Sequence, residues 1–264
     1  MEILTLDKEK HFANGSVYLL RTRNGNLVEV TDTFLPIETK YAINTHCNAV
    51  TGACAGSRDE RWMIGVSTMS GCPVGCKFCS TGMLKKTELL FDSQIVKQVH
   101  FITNKHFANH IPNNSKEFKI NYTRMGEPFL NLKEVKSAIQ ELSACWPNTH
   151  HYLSTIGVNG SDFSFVKDNI SLQFSIHSLN EEKRNWLIPY KNKMTLKEIG
   201  QVRTKSKLKT TLNLTLVDEA DFDIKILKEY FDPQYFFIKV SPLNENVVSR
   251  KNLLNGVIEY TNLL

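Results

Sequence analysis

Three closely spaced cysteines carry the clearest chemical signal in this sequence. Cys72, Cys76 and Cys79 form a C-x3-C-x2-C pattern. Thiolates bind iron strongly, and three of them on one loop can hold three irons of a cubane while the fourth iron stays open. S-adenosylmethionine can chelate that open iron through its amino and carboxylate groups. The pattern therefore predicts a [4Fe-4S] cluster that delivers one electron to break a carbon–sulfur bond of S-adenosylmethionine.

Two other interpretations of the cysteines are a zinc site and a set of unrelated buried thiols. Zinc usually takes four ligands as separated pairs, and the next Cys or His after Cys79 is His100. Six cysteines in 264 residues, three of them crowded together, fit metal binding in a reducing compartment better than a disulfide framework.

Strand and helix patterns alternate from Arg61 onward. Asp92 and Asn131 are expected to begin helices, the second with Glu134 in a capping box. β-branched or aromatic runs predict strands at 61–70, 118–123, 152–155, 172–177, 210–217 and 235–240. Such a series favours an α/β fold with a parallel sheet, here a partial (β/α)6 barrel. The cysteines and other motifs follow strands, where the carboxyl ends of a parallel sheet place functional residues.

The N-terminal part of the chain has a different character. Two short strands around Asn24-Gly25-Asn26 predict a β-hairpin extension over 16–36. Residues 37–60 show no clear period and carry Cys47 and Cys54, which indicates a loop or insertion. We expect two parts, an N-terminal hairpin with its loop over 1–60 and a catalytic core over 61–264.

The charge distribution offers one surface that could bind nucleic acid. The net charge is only +5, but the segment 183–209 holds nine Lys or Arg against one acid, Glu198. Such a stripe could neutralise phosphates, although a basic run is often only a solvated helix face. With 41% hydrophobic and 22% charged residues, no membrane-length apolar run and no signal-peptide pattern, the chain is expected to be cytoplasmic.

Several motifs together resemble one protein family. From about residue 24 to 244 the chain is similar to the radical-SAM RNA methyltransferases of the RlmN/Cfr family, which modify adenosine carbon 2 or carbon 8. The matching pieces, in family order, are Val66-Ser67, Gly71-Cys-Pro-Val-Gly-Cys-Lys-Phe-Cys-Ser-Thr-Gly82, Met125-Gly-Glu-Pro-Phe-Leu-Asn131, Ser154-Thr-Ile-Gly157, Phe174-Ser-Ile-His-Ser-Leu-Asn-Glu-Glu-Lys-Arg184 and Ile188-Pro189.

The resemblance implies roles for individual residues. Cys72, Cys76 and Cys79 would be the cluster ligands, and Glu127 would accept hydrogen bonds from the methionyl amino group of the cofactor. Glu29 lines up with a family glutamate that transfers a proton, although a single acid in a hairpin is usually just exposed. The other cofactor-binding residues implied are Gly126, Ser154, Ser175, Ile176, His177 and Asn244.

The sequence also departs from the family. Gly65 stands where the family has a cysteine that helps release the methylated product, seven residues before Cys72. Because the sequence ends at Leu264, we expect the family's C-terminal methyl-carrier cysteine to be absent, and we expect no counterpart of the N-terminal accessory domain. Cys145 is expected to pack in the core stripe of its helix, whereas Cys47 and Cys54 could be replacement thiols, extra ligands or loop residues.

We therefore expect an enzyme that uses a [4Fe-4S] cluster and S-adenosylmethionine to form a 5′-deoxyadenosyl radical. Its substrate is expected to be a nucleic acid or nucleotide, with RNA contacts along 183–209 and a flavodoxin- or ferredoxin-like electron donor. The alternative is a radical-SAM enzyme that abstracts hydrogen from a peptide or small molecule without methyl transfer. A cluster-binding protein without turnover is a third hypothesis, which the intact cofactor motifs oppose.

Overall fold

The computed structural model describes residues 4–37, 56–84, 86–218 and 221–256. The chain forms two compact units, one from Met1–Ser70 with Glu88–Tyr152 and the other from Gly71–Thr87 with Leu153–Leu264. Cys47 and Cys54 lie outside the described residues. The hairpin belongs to the first unit together with the first strands of the α/β core, and the division expected after residue 60 stays a prediction.

The first unit contains an antiparallel region followed by parallel strands. The predicted hairpin is present, and a further N-terminal strand that the sequence pattern did not reveal pairs with it. The strands are β1 (Leu4–Phe12), β2 (Gly15–Thr22), β3 (Leu27–Leu35), β4 (Arg61–Gly65), β5 (Met69–Ser70), β6 (Glu88–Leu89), β7 (Glu117–Tyr122) and the start of β8 (His150–Thr155). β3 pairs antiparallel with β4, and β4 pairs parallel with β7. The hairpin is therefore an extension of the core sheet rather than a separate layer.

Two helices cover the parallel strands of this unit, α1 (Asp92–His106) and α2 (Leu132–Cys145). Their apolar faces are buried as the helical spacing predicted, with Ile95, Val99 and Ile102 in α1 and Val135, Ile139 and Leu142 in α2.

Three sequence predictions at the helix ends were wrong. Asp92 is the first residue of α1 rather than its cap, because Phe91 occupies that position and donates its N–H to Gln94. Asn131 precedes α2 but its side chain does not cap the helix, since it donates to the carbonyls of Thr68 and Leu90 at 2.9 and 2.7 Å. Cys145 is exposed, because it lies at the C-terminal end of α2 beyond the buried stripe.

The second unit carries the remaining parallel strands. β9 (Ile170–Ser175), β10 (Thr210–Thr215) and β11 (Phe236–Ser241) follow the end of β8, with β10 pairing parallel with both neighbours. β9 and β10 are buried at most positions, as expected of parallel strands covered on both faces. The helices are α3 (Glu181–Leu187), α4 (Leu196–Gly200), α5 (Ile224–Tyr230) and α6 (Val247–Lys251). All six predicted core strands are therefore present, as β4 and β7 to β11.

One buried cation fixes the loops of this unit. Arg184 in α3 is fully buried, and its guanidinium donates to the carbonyls of Met194 and Ile156 at 2.8 and 2.9 Å. Burial lowers the pKa of this guanidinium, and Glu181, 3.6 Å away, opposes that shift. Arg184 therefore lies in the interior. The prediction that all nine basic residues of 183–209 could neutralise phosphates was wrong for Arg184.

No helix in the described segments is long and apolar enough to span a membrane.

Candidate functional site

The predicted cluster cysteines share one short loop of the second unit, and all three are half-buried. The loop begins at Gly71, whose φ is +88° and where a Cβ would lie 2.6 Å from the carbonyl oxygen of Lys86. Only glycine fits such a position without strain. The N–H of Cys79 donates to the carbonyl of Cys76 at 3.1 Å, which closes a tight turn between the last two thiols.

Other parts of the second unit hold this loop by its backbone. The N–H of Lys77 donates to the carbonyl of Leu187 at 2.9 Å. The side-chain amides of Asn252 and Asn246 donate to the carbonyls of Lys77 and Phe78 at 2.9 and 2.8 Å. The N–H and carbonyl of Lys77 and the carbonyl of Phe78 are thus bound to residues outside the loop, which restrains the conformation of the loop.

The arrangement of the thiols bears on the choice between zinc and an iron–sulfur cluster. Across the described part of the chain, no three His, Cys, Asp or Glu side chains converge closely enough to hold one metal ion. A mononuclear zinc site requires such convergence. A cubane does not, because each thiolate binds a different iron. The predicted cluster therefore calls for a loop that carries three thiolates rather than for three groups around one ion.

Hydroxyl groups line the ends of β8 and β9 in the same unit. The Oγ atoms of Ser154 and Ser175 lie 3.0 Å apart, and the amide of Gln173 donates to Ser154 Oγ at 2.9 Å. Both serines are half-buried. Small hydroxyls at carboxyl ends of parallel strands can bind the polar groups of a ligand, as the sequence predicted for these two residues.

His177 follows β9 in a backbone conformation that is uncommon for a residue other than glycine, with φ of +59°. The predicted strand over 172–177 ends two residues early because of this turn. Nδ1 accepts the N–H of Thr215 at 3.1 Å, which leaves Nε2 as the protonated nitrogen of the neutral ring. Burial, with a smaller contribution from Arg184, lowers the pKa of His177 to about 3.

The ring of His177 packs against the cysteine loop. It meets Phe78 edge to face, with the ring centroids 4.6 Å apart. The N–H groups of Ile176 and His177 both donate to the carbonyl of Asn213, at 3.0 and 3.2 Å. The segment Ile176–His177 therefore connects the strand ends to the loop that carries the thiols, and His177 stays neutral in this position.

Asn244 lies after β11 and is exposed. Its carbonyl accepts the amide of Asn246 at 3.0 Å. The structure thus places Asn244 in the short connection that leads into α6, where its side chain faces solvent.

The predicted cofactor-binding turn Met125-Gly126-Glu127 lies in the first unit, against the end of the strand that leads to Gly71. The carbonyl of Met125 accepts the N–H groups of Thr68 and Met69 at 2.9 and 3.1 Å. Gly126 has φ of +106°, and a Cβ there would lie 2.7 Å from Met69 Cβ and 2.8 Å from Thr68 Oγ1. This close approach explains why the turn has glycine.

Glu127 is buried beside this turn, with Oε1 accepting the N–H of Phe129 at 3.1 Å. Thr68 Oγ1, which packs against Gly126, is buried without a hydrogen-bond partner among the described residues, and so is Ser70 Oγ just before the cysteine loop. Buried hydroxyls without partners are costly in a folded protein. A polar ligand that bound beside the turn would satisfy the hydroxyl of Thr68.

Glu29 and Arg124 form an ion pair next to the same turn. Arg124 Nε lies 2.8 Å from Glu29 Oε1, and its Nη2 contacts the same oxygen. The hydroxyl of Ser67 donates to the carbonyl of Glu29 at 2.6 Å and accepts the N–H of Met125 at 3.1 Å. The hairpin therefore places Glu29 of β3 beside the carboxyl end of β4, next to Arg124.

Gly65, the last residue of β4, lies beneath this ion pair. A Cβ at Gly65 would lie 2.3 Å from Thr31 Oγ1 and 2.9 Å from Arg124 Cδ. The space that a side chain at this position would need is thus already filled by Thr31 and by the stem of Arg124.

Five residues that shape these sites were not predicted from the sequence: Thr68, Ser70, Arg124, Asn246 and Asn252. Arg124 adjoins the Met-Gly-Glu-Pro motif, and Thr68 and Ser70 precede the cysteine loop, so their positions in the sequence were the available signal. Asn246 and Asn252 had no such signal, since they contact residues 168 and 175 positions away.

Comparison with known proteins gives one consistent family. The chain is 30% identical over 205 residues to "Probable dual-specificity RNA methyltransferase RlmN" of Fervidobacterium nodosum, covering 75% of this chain and 52% of the relative. It is 29% identical over 179 residues to the protein of that name from Chlorobium phaeobacteroides strain BS1, covering 65% and 49%. The chain spans about half the length of these curated relatives. No protein-family model matches it.

A solved structure shows the same fold. The chain superposes on a radical SAM methyltransferase from Sphaerobacter thermophilus with a TM-score of 0.68 and 20% identity, covering 96% of this chain and 74% of the other. This likeness confirms the predicted α/β fold, a partial (β/α)6 barrel.

Proposed function

We propose that this chain, an RlmN/Cfr-like protein with the radical-SAM fold, is an enzyme that cleaves S-adenosylmethionine with the aid of a [4Fe-4S] cluster. The observation that carries the proposal is the fixed cysteine loop, on which three half-buried thiols share one short segment. A loop held by its backbone presents its thiolates in one arrangement, as a cluster with three protein ligands requires.

Cys72, Cys76 and Cys79 would hold the cluster. When bound, the cluster and S-adenosylmethionine would together supply a 5′-deoxyadenosyl radical for hydrogen abstraction. Among the remaining residues, Glu127 is proposed to accept a hydrogen bond from the cofactor's amino group. The buried hydroxyl of Thr68 supports a polar ligand beside that turn, because a ligand would provide the partner that it lacks among the described residues.

The strand-end residues of the second unit are proposed to contact S-adenosylmethionine, as the family resemblance implies. The hydroxyls of Ser154 and Ser175 can donate to its carboxylate or ribose, and Nε2 of His177 can donate only, since the ring is neutral with Nδ1 accepting from Thr215. Gly126, Ile176 and Asn244 are proposed to contribute backbone or exposed polar groups, as the family resemblance implies.

Glu29 is proposed as a proton acceptor in the reaction. Arg124 donates from Nε and Nη2 to Oε1 of this side chain. The second oxygen, Oε2, is the one proposed to accept a proton from substrate. The Arg124 side chain is 37% exposed, so the pair is accessible from solvent.

We propose that the substrate is RNA or a nucleotide, as the names of the relatives suggest. A basic hollow of about 430 Å³ supports contact with phosphates. It is lined by Arg203, Lys207 and Lys209 together with Tyr235, and the Arg203 guanidinium stacks 4.1 Å from the centre of the Tyr235 ring. Exposed cations and an aromatic ring form a surface that binds the backbone and bases of single-stranded nucleic acid.

The position of the hollow constrains the substrate. Thr210 begins β10 and Tyr235 precedes β11, so the hollow lies at the amino ends of these two strands, whereas Ser154 and Ser175 lie at the carboxyl ends of β8 and β9. A strand of six residues is about 20 Å long. An extended RNA could therefore contact both ends, whereas a single nucleotide would contact one of them.

Anaerobic reconstitution tests the cluster and the cleavage reaction together. We expect about four irons per chain and formation of 5′-deoxyadenosine and methionine with a strong reductant. Replacing Cys72, Cys76 and Cys79 by Ala should abolish both, whereas Cys145→Ala, which removes an exposed thiol outside the motif, should change neither. Retention of the cluster by the triple variant would refute the assignment.

Salt-dependent RNA binding tests the substrate class. Replacing Lys205, Lys207 and Lys209 by Gln should reduce the slope of log affinity against log salt by roughly 2, because each lost phosphate contact contributes about 0.7 for single strands. The matched control replaces the exposed Lys8, Lys133 and Lys228 by Gln. Equal slopes for both triple variants would favour the alternative of a peptide or small-molecule substrate.

A further inference from the structure

We propose that Asn246 and Asn252 are positioning residues that hold the cysteine loop in the conformation needed to bind a cluster. The inference rests on the cluster role proposed above for the three thiols. Nothing in the family resemblance or in the motif itself assigns a role to either asparagine.

The geometry is specific to the two residues between the second and third cysteines. Asn252 Nδ2 donates to the carbonyl of Lys77 at 2.9 Å, and Asn246 Nδ2 donates to the carbonyl of Phe78 at 2.8 Å. The N–H of Lys77 is bound as well, by the carbonyl of Leu187 at 2.9 Å. Each peptide between Cys76 and Cys79 therefore has a partner outside the loop.

The asparagines belong to one short helix and support each other through it. Asn246 is the N-cap of α6, where Oδ1 accepts the N–H groups of Val248 and Ser249 at 2.8 and 3.1 Å. Asn252 follows the last turn and also donates to the carbonyl of Val248 at 2.9 Å. Oδ1 of Asn246 thus caps the N-terminus of α6, while Nδ2 of the same side chain binds the cysteine loop.

This arrangement explains why amides are needed at these positions. The loop carbonyls require donors, and the helix N-terminus requires an acceptor, so a side chain with both functions is needed at residue 246. Holding the two carbonyls prevents the backbone between Cys76 and Cys79 from rotating, which would turn the thiols away from a common cluster. The side chains act through the loop and are not expected to touch the cluster or the substrate.

The test replaces each asparagine by aspartate. Asn246→Asp keeps the capping acceptor, since Asp is a good N-cap, but removes the donor to Phe78. Asn252→Asp removes the donor to Lys77. The matched control is Lys251→Gln, which changes the charge by the same amount on the same helix and bears no bond to the loop in the described structure. Asn246→Ser, which can also cap, provides a second variant without added charge.

Two measurements follow, and the first needs no cluster. In the protein without iron, alkylation of Cys76 and Cys79 should be roughly five- to tenfold faster in each asparagine variant than in the parent, the factor expected from one lost hydrogen bond. Lys251→Gln should react at the parent rate. In the reconstituted protein, loss of iron to a chelator should accelerate by a similar factor, and folding is checked by far-ultraviolet circular dichroism.

The outcomes separate this inference from the proposed function. If the parent protein assembles no cluster, the proposed function fails, and the alkylation rates still test whether the asparagines hold the loop. If the parent assembles a cluster and both asparagine variants match Lys251→Gln in alkylation and in iron loss, the positioning role is refuted. If Asn246→Asp does not fold, the variants Asn246→Ser and Asn252→Asp test the positioning role instead, by the same rates of alkylation and of iron loss.

Discussion

Replacing Gly126 by Ala tests the packing of the Met125-Gly126-Glu127 turn. The backbone at Gly126 has φ of +106°, and an added Cβ would lie 2.7 Å from Met69 Cβ and 2.8 Å from Thr68 Oγ1. A left-handed backbone costs a residue other than glycine about 1–2 kcal/mol. Overpacking adds about 1–3 kcal/mol. We therefore expect Gly126→Ala to reduce the free energy of unfolding by about 2–5 kcal/mol.

Gly25→Ala is the matched control for the backbone contribution. Gly25 has φ of +82° in the same unit, but no atom lies within 4 Å of its added Cβ. Its substitution should cost only the backbone part, about 1–2 kcal/mol. The difference between the two variants then isolates the steric part, about 1–3 kcal/mol.

The assay is urea unfolding of the protein without iron, followed by tryptophan fluorescence. Trp62 is fully buried in β4 of the same unit and reports its unfolding. Equal destabilisation by the two substitutions would show that Gly126 does not pack against Thr68 and Met69, and the reasoning above would be refuted. If Gly126→Ala loses more unfolding free energy than Gly25→Ala and still takes up a normal amount of iron on reconstitution, that result would locate the effect of Gly126→Ala in the turn rather than in the cysteine loop.

Two further predictions concern groups beside the proposed sites. Burial holds the pKa of His177 at about 3 against 6.5 in the unfolded chain, so its contribution to stability is present above pH 6.5 and is lost as the pH falls towards 3. His177→Asn should flatten the fall of unfolding free energy with pH in urea titrations by up to about 1.4 kcal/mol per pH unit, and identical slopes would contradict this. Gly65→Ala should reduce the free energy of unfolding by about 1–3 kcal/mol, because its Cβ meets Thr31 and Arg124. Adding Thr31→Ala should recover a measurable part of that loss in a double-mutant cycle, and strict additivity would exclude the clash.

The parts of the fold that could be predicted from the sequence are those with local signals. The cysteine spacing identified its loop, and the helical spacing of Ile95, Val99 and Ile102 identified the buried face of α1. The six core strands were predicted because β-branched and aromatic runs alternate with helices. A series of β/α units then limits the topology to few arrangements.

The parts that could not be predicted depend on contacts between distant residues. The alternation of apolar and polar residues in β1 is too weak to predict a strand from the sequence. The strand forms because the edge of β2 offers it hydrogen-bond partners. The strand ending at Ser175 was predicted to continue to His177, but the bonds from Ile176 and His177 to Asn213 turn the chain. Cys145 continues the helical spacing of the apolar residues of α2 but is exposed. It is the last residue of the helix, beyond the turn at which the buried face ends.

The double use of Asn246 has a consequence for local unfolding. Oδ1 of Asn246 caps the first turn of α6, and Nδ2 of the same side chain binds the carbonyl of Phe78. Fraying of that turn therefore releases the loop in the same event. Amide hydrogens of α6 and the amide of Cys79 should therefore exchange with solvent at a common rate, as one cooperative segment. A short helix near the described end of the chain would then set how often the thiol-bearing loop opens.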